Sequence, residues 1–302
     1  MRVQPAIKGT GAAIITPFDR AGRVDEAALR RLVSHLATGG LDVLVVLGTT
    51  GESVTLSKDE KKQIQEVVLH ENAGRCRVIL GIGGNNTAEI TETLQHTDFT
   101  GIDAVLSVSP YYNKPNQEGI FQHYKLVAEA SPRPVVLYNV PGRTGSNITA
   151  ETTLRIAEEF RNVCGIKEAS GNLEQIMQII HKRPQGFLVL SGDDALTLPI
   201  LACGGEGVIS VVANAFPALF VEMVNAGMEG NFTRARRFHY PMLEFTRLLF
   251  SDGNPAGVKA ALKVLGICEE IVRLPLTNVR PDIFGAIERE VHLLRRLDLK
   301  IA

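Results

Sequence analysis

The sequence predicts a (β/α)8 (TIM) barrel carrying a C-terminal helical appendage. Three observations predict it. Short apolar, β-branched runs recur with a period of about 25 residues, the size of one strand–helix unit. Amphipathic stretches with helix-start signals separate them. Most runs are apolar on both faces, as strands of a parallel sheet covered by helices must be.

The runs lie at 11–16, 41–48, 77–83, 103–109, 134–140, 163–168, 187–191 and 207–213. Between them, Ser57-Lys58-Asp59-Glu60 reads as a capping box, and Thr149-Ala150-Glu151-Thr152 as a weaker form of one. Asp25, Thr87 and Asn172 suit the N-caps of further helices. Gly39-Gly40 and Gly204-Gly205 suit helix ends, where a left-handed residue is needed. An open doubly wound sheet uses the same units, but its usual Gly-x-Gly-x-x-Gly after an early strand is missing. The eighth unit closes near residue 229. Beyond it the sequence predicts helices at 231–250, 255–266 and 281–298, the first with Phe238, Met242, Phe245 and Leu249 on one stripe. The expected division is a catalytic barrel over 1–229 and a helical extension over 230–302.

Composition narrows the function. The chain has 302 residues with 32 Lys+Arg against 33 Asp+Glu, and a formal charge of −1 argues against a nucleic-acid partner. No apolar run approaches the roughly 18 residues that span a bilayer. The start, Met1-Arg2-Val3-Gln4-Pro5, lacks the apolar core of a leader, so a cytoplasmic location without a membrane partner is expected. Cys76, Cys164, Cys203 and Cys268 are far apart with no Cys-x-x-Cys, which indicates neither a disulfide framework nor a zinc ribbon. His35, His70, His96, His123, His181, His239 and His292 are dispersed over predicted helices, so no metal site is expected. The chemistry should come from organic side chains.

Barrel chemistry sits where the strands end. Gly48-Thr49-Thr50-Gly51-Glu52-Ser53, Gly83-Gly84-Asn85-Asn86, Ser109-Pro110-Tyr111-Tyr112-Asn113, Tyr138-Asn139-Val140-Pro141-Gly142-Arg143 and Ser191-Gly192-Asp193-Asp194 all follow apolar runs. Hydroxyls, tyrosines, one Arg and one Lys thus converge on one rim. Lys167 is the informative residue. Period-two alternation sets Val163, Gly165 and Lys167 on one face of their strand. Desolvation can lower the pKa of an inward lysine and supply the neutral amine that attacks a ketone. The alternative is a lysine paired with an acid, although neighbouring Glu168 faces the other way. A Schiff-base lysine needs a proton shuttle, for which Tyr138, Thr49 and Thr50 are available; Tyr138 could equally be a barrel-lining aromatic. Arg143, on a glycine-flanked loop, offers a fork for a carboxylate or is an ordinary surface residue. The loops after the last two strands, with Asp193-Asp194 and Ala213-Asn214-Ala215-Phe216-Pro217, make a poor phosphate cup, which points to a non-phosphorylated substrate.

Together the motifs resemble the pyruvate-dependent class I aldolase family, which includes N-acetylneuraminate lyase. Gly48-Thr49-Thr50-Gly51-Glu52, Tyr138-Asn139-Val140-Pro141 and Gly165-Ile166-Lys167-Glu168 carry the resemblance, in order, over nearly the whole chain. The pair Thr49-Thr50 and the presence of Arg143 are similar to the synthase branch, since the lyases typically have Ser-Thr and lack the arginine. The resemblance implies condensation of pyruvate with L-aspartate 4-semialdehyde through an imine on Lys167, giving 4-hydroxy-tetrahydrodipicolinate for diaminopimelate and lysine biosynthesis. It implies that Thr50 and Gly51 bind the pyruvate carboxylate, while Gly192 and the Ile209 carbonyl line its pocket. Tyr138, Thr49 and Tyr112 would relay protons, Tyr112 from a neighbouring subunit, and Arg143 would hold the semialdehyde carboxylate. A homotetramer of tight dimers is implied, and no cofactor.

Some members bind lysine through residues matching Ser53, Val54, Asn85, Glu89 and Tyr111. Two positions that carry histidine in lysine-sensitive members are Lys58 and Lys61 here, and added cations should repel a cationic effector. Weak or absent inhibition by lysine is expected. The rivals are a sister lyase cleaving a 2-keto sugar acid and a catalytically silent sensor that keeps the fold.

Overall fold

The computed structural model describes residues 7–298, so the start read for a leader, Met1–Pro5, lies outside the described residues. Among the described residues eight strands form: β1 (Gly9–Ala13), β2 (Val43–Val46), β3 (Arg77–Gly81), β4 (Ala104–Val108), β5 (Val135–Asn139), β6 (Val163–Glu168), β7 (Leu188–Ser191) and β8 (Gly207–Ser210). Each pairs in parallel with the next, and β8 returns to β1, closing the barrel. The predicted barrel is therefore present. Its strands are shorter than the apolar runs because such a run reports burial, not ladder pairing. Past Val46, for example, Leu47 is still buried but turns with φ 59°, and past Ser210 the chain winds into a 3-10 turn.

Helices α1 (Glu26–Thr38), α2 (Lys58–Asn72), α3 (Thr87–His96), α4 (Gln117–Ala130), α5 (Pro141–Thr144), α6 (Ala150–Glu159), α7 (Leu173–Lys182), α8 (Thr197–Ala202) and α9 (Pro217–Met228) cover the sheet. Asp25 and Asn172 accept from backbone amides as N-caps, and Ser57 and Glu60 form the full reciprocal box. Thr149 caps α6 with its hydroxyl alone. One expected cap differs. Asn86 holds the N-cap of α3, and Thr87 is the first helical residue. The Thr87 hydroxyl is instead hydrogen-bonded to Nδ1 of His123 at 2.9 Å, tying α3 to α4. All seven histidines lie in helices, as expected.

Two apolar layers result. One fills the lumen and includes Val43, Val45, Ile79, Leu106, Val136 and Leu190. The other lies between strands and helices. β6 corrects the simple alternation. Val163 pairs with Val135 but Gly165 pairs with Val136, so Cys164 is an extra residue in the ladder. Val163 consequently joins the outer layer while Cys164 faces the lumen. The alternation resumes at Gly165 and carries Lys167 inward, a bulge re-aiming a functional strand end.

Three further helices follow: α10 (Phe232–Ser251), α11 (Ala256–Val264) and α12 (Pro281–Asp298). They pack on α9 and on one another, and α11 with the connections on either side of it reaches back to the loop after β2. Among the described residues no helix is long and apolar enough to cross a membrane.

Candidate active site

The C-terminal ends of β5, β6 and β7 meet in register. Tyr138 pairs with Lys167, and Lys167 with Leu190. Lys167 is 5% exposed, and its Nζ lies 4.4 Å from the centroid of the Tyr138 ring. Among the described residues it has no carboxylate partner and no hydrogen-bond partner. Gly192, after β7, makes room for it. A Cβ there would stand 3.0 Å from Lys167 Cε and 2.7 Å from Ala169 Cβ, so any side chain would push the lysine aside.

Glu168 faces the other way, toward the helices, and is fully buried. Its carboxylate accepts from Asn139 Nδ2 at 3.0 and 3.1 Å, from Gln175 Nε2 at 3.0 Å and from the Ser170 amide at 2.7 Å. Asn139 pairs with Glu168 in the ladder just as Tyr138 pairs with Lys167. The bond between the two outward residues thus locks the register of the two inward ones. From sequence alone Glu168 is no more than a possible partner of Lys167, and Asn139 has no evident role. The available signal was polarity on the helix-facing side of strands otherwise apolar there.

The loop after β2 opens with a 3-10 turn over Thr49–Gly51. Thr50 is buried and Thr49 exposed. Thr50 Oγ1 accepts from Asn254 Nδ2 at 2.9 Å, and the Gly51 carbonyl accepts from Thr16 Oγ1 at 2.7 Å. Glu52 follows with φ 52° and is 2% exposed, its carboxylate accepting from Lys259 Nζ and from the Arg273 amide. Positive φ recurs at Tyr112 (72°) and Lys114 (48°) in the loop after β4, so non-glycine backbone strain concentrates on this rim. Tyr112 is 88% exposed. Arg143 is exposed too, on the one-turn helix α5 and not on a loop. Pro141 at its first position and Gly145 in the left-handed region explain the turn.

Ile209, 2% exposed, pairs with Gly11 and belongs to the lumen cluster. Close by, Asp194 is buried and accepts from the Val211 and Val212 amides at 3.0 and 3.3 Å and from the Ser210 hydroxyl. Burial pushes its carboxyl up to about 6. These amides begin the turn after β8, where many barrels hold a phosphate. The chain's own carboxylate already fills that position.

Ser53 and Val54 follow β2, Asn85 follows β3, Glu89 is in the first turn of α3 and Tyr111 follows β4. Val54, Asn85 and Glu89 are exposed, and Lys58 and Lys61 open α2 beside them in sequence. Asn254, Lys259 and Arg273 were missed altogether. Among the described residues no cluster of three His, Cys, Asp or Glu is arranged to hold a metal.

The model of the dihydrodipicolinate synthetase family matches residues 6–292. The chain is 52% identical over 294 residues to 4-hydroxy-tetrahydrodipicolinate synthase of Parabacteroides distasonis, covering 97% of this chain and 98% of that one. It is 50% identical over 283 residues to the enzyme of that name from Flavobacterium psychrophilum, covering 94% and 97%. The crystal structure of dihydrodipicolinate synthase from Thermotoga maritima superposes with a TM-score of 0.93 at 40% identity, over 97% of this chain and 99% of that one.

Proposed function

The chain belongs to the dihydrodipicolinate synthetase family, and we propose that its imine forms at Lys167. The enzyme is a lyase that condenses pyruvate with L-aspartate 4-semialdehyde to 4-hydroxy-tetrahydrodipicolinate, on the route to diaminopimelate and lysine. One observation carries the assignment of the residue: a buried lysine amine, without a carboxylate partner among the described residues, beside a tyrosine at the end of the lumen.

In this reading Lys167 Nζ attacks C2 of pyruvate, and the carbonyl oxygen leaves as water when the imine forms. Thr50 and Gly51 bind the pyruvate carboxylate, with Gly192 and the Ile209 carbonyl lining the pocket. The imine acidifies the methyl group, whose lost proton leaves an enamine. The enamine carbon bonds to the aldehyde carbon, and the aldehyde oxygen takes a proton to become the 4-hydroxyl. The substrate amine then attacks the imine carbon, closes the ring and releases Lys167. Tyr138, Thr49 and Tyr112 move the protons, a role worth about 10²–10⁴ in rate for a well-positioned group. The exposure and strained backbone of Tyr112 support its use across a subunit boundary, in a homotetramer of tight dimers. Arg143 on α5 holds the carboxylate of the semialdehyde. The carboxylate of Asp194 in the amide cup supports substrates without phosphate.

A cytoplasmic location, the division at residue 229, and weak lysine inhibition at Ser53, Val54, Asn85, Glu89 and Tyr111 belong to the same reading. Half-maximal inhibition at submillimolar lysine would contradict the last. Turnover of pyruvate with L-aspartate 4-semialdehyde, compared with N-acetylmannosamine, tests the substrate pair. Activity confined to the sugar would point to the sister lyases.

A further inference from the structure

The hydroxyl of Thr50 is held by a residue outside the barrel. Asn254, between α10 and α11, donates from Nδ2 to Thr50 Oγ1 across 204 positions of sequence. Both side chains are buried, at 3% and 6% exposed. The other amide atom, Asn254 Oδ1, is buried without a hydrogen bond among the described residues, so Thr50 is the group this amide engages. A second clamp lies two residues further along the same loop. Lys259 of α11, itself fully buried, donates to Glu52 Oε1 and to the Ile271 carbonyl. The extension therefore grips the turn at Thr50 and again at Glu52, and its own Lys259 fixes the segment from which Asn254 projects.

The polarity of the first clamp matters. A threonine hydroxyl has one proton and two lone pairs. With one lone pair receiving the Asn254 amide, the O–H is left to donate, and a donor is what an anionic oxygen needs. We propose that Asn254 is a positioning residue for substrate recognition: it commits the Thr50 hydroxyl to donate to the pyruvate carboxylate. The inference rests on Thr50 as the carboxylate-binding residue. Asn254 acts through Thr50 and takes no part in the bond-making steps.

Asn254→Asp tests it at nearly constant shape. The new carboxylate would accept the Thr50 proton, turn an oxygen lone pair toward pyruvate and add a negative charge. KM for pyruvate should rise about tenfold or more, the usual scale for a hydrogen bond to a charged group. At saturating pyruvate, kcat should stay within about threefold and borohydride should still trap pyruvate on Lys167. Asn254→Ala, which adds no charge, should raise KM less, and serves alone if the aspartate variant does not fold. A cycle with Thr50→Val separates positioning from general support. If Asn254 acts through Thr50, Asn254→Ala adds little to KM once the hydroxyl is gone; full additivity would overturn the proposal. So would a KM unchanged by both Asn254 variants while Thr50→Val raises it. An unchanged KM in Thr50→Val would instead reject Thr50 as the carboxylate binder, and loss of trapping in the wild-type enzyme would reject the imine at Lys167.

Discussion

Two lysines are buried among the described residues, and they are buried differently. Lys259, in the junction between extension and barrel, has an ion pair with Glu52, a bond to the Ile271 carbonyl and the face of Phe18 at 4.2 Å. Burial pulls its pKa down, and Glu52 partly opposes that shift. Lys167, in the lumen, has among the described residues only the Tyr138 ring, at 4.4 Å. The aromatic contact is nearly the same in both, so it cannot be what separates them. The carboxylate is. A lysine held by a carboxylate and a carbonyl ties structure together, whereas one left without an acid is available to a substrate. Where polar groups face the helices instead, at Glu168 and Asn139, they are fully hydrogen-bonded and hold Tyr138 opposite Lys167.

The largest effect is expected from Lys167→Met. Turnover should fall by about 10³-fold or more, since the covalent route is removed. Urea unfolding should barely move, because no partner is orphaned; a large loss of stability would make Lys167 structural after all. Lys259→Met should do the reverse. It leaves Glu52 buried without its cation, a change that typically costs about 3–5 kcal/mol, readable in the urea midpoint. A stable Lys259→Met protein would dissolve the contrast. Tyr138→Phe should lower kcat by about 10²-fold with little change in pyruvate KM; near-wild-type turnover would remove Tyr138 from the relay.

The smallest effect concerns acid. Arg273, hydrogen-bonded to Glu60 beside the Lys259 junction, holds the Glu60 carboxyl at about 2, below its ordinary 4.5. The folded value is the lower one, so this pair contributes stability above pH 4.5 that is lost as the pH falls toward 2. The pair is partly open to solvent, and about 1 kcal/mol is the expected scale. Unfolding curves of Glu60→Gln and the wild-type protein should converge as the pH falls through this window. A constant gap between them would contradict the assignment.

How much of this was legible depends on distance along the chain. Eight strands could be counted because each is covered on both sides, which leaves an apolar run. Lys167 could be found because it interrupts such a run. The bulge at Cys164 could not, since a one-residue shift in pairing is set by the neighbouring strand and leaves no mark in local spacing. Thr87 has the residue type of a cap, but a bond to His123 on another helix claimed its hydroxyl. Asn254 and Lys259 meet Thr50 and Glu52 across 204 and 207 positions, beyond any periodicity. Lys259 had one local sign: it stands in Gly257-Val258-Lys259-Ala260-Ala261-Leu262, too apolar a setting for a surface lysine.

The claim that the unpaired lysine is the reactive one is tested most directly by reducing the enzyme with borohydride in the presence of pyruvate and mapping the adduct by peptide mass. One reduced pyruvyl group is expected, on the peptide containing Lys167, with Lys259 unmodified. An adduct at Lys259, or none at Lys167, would contradict it.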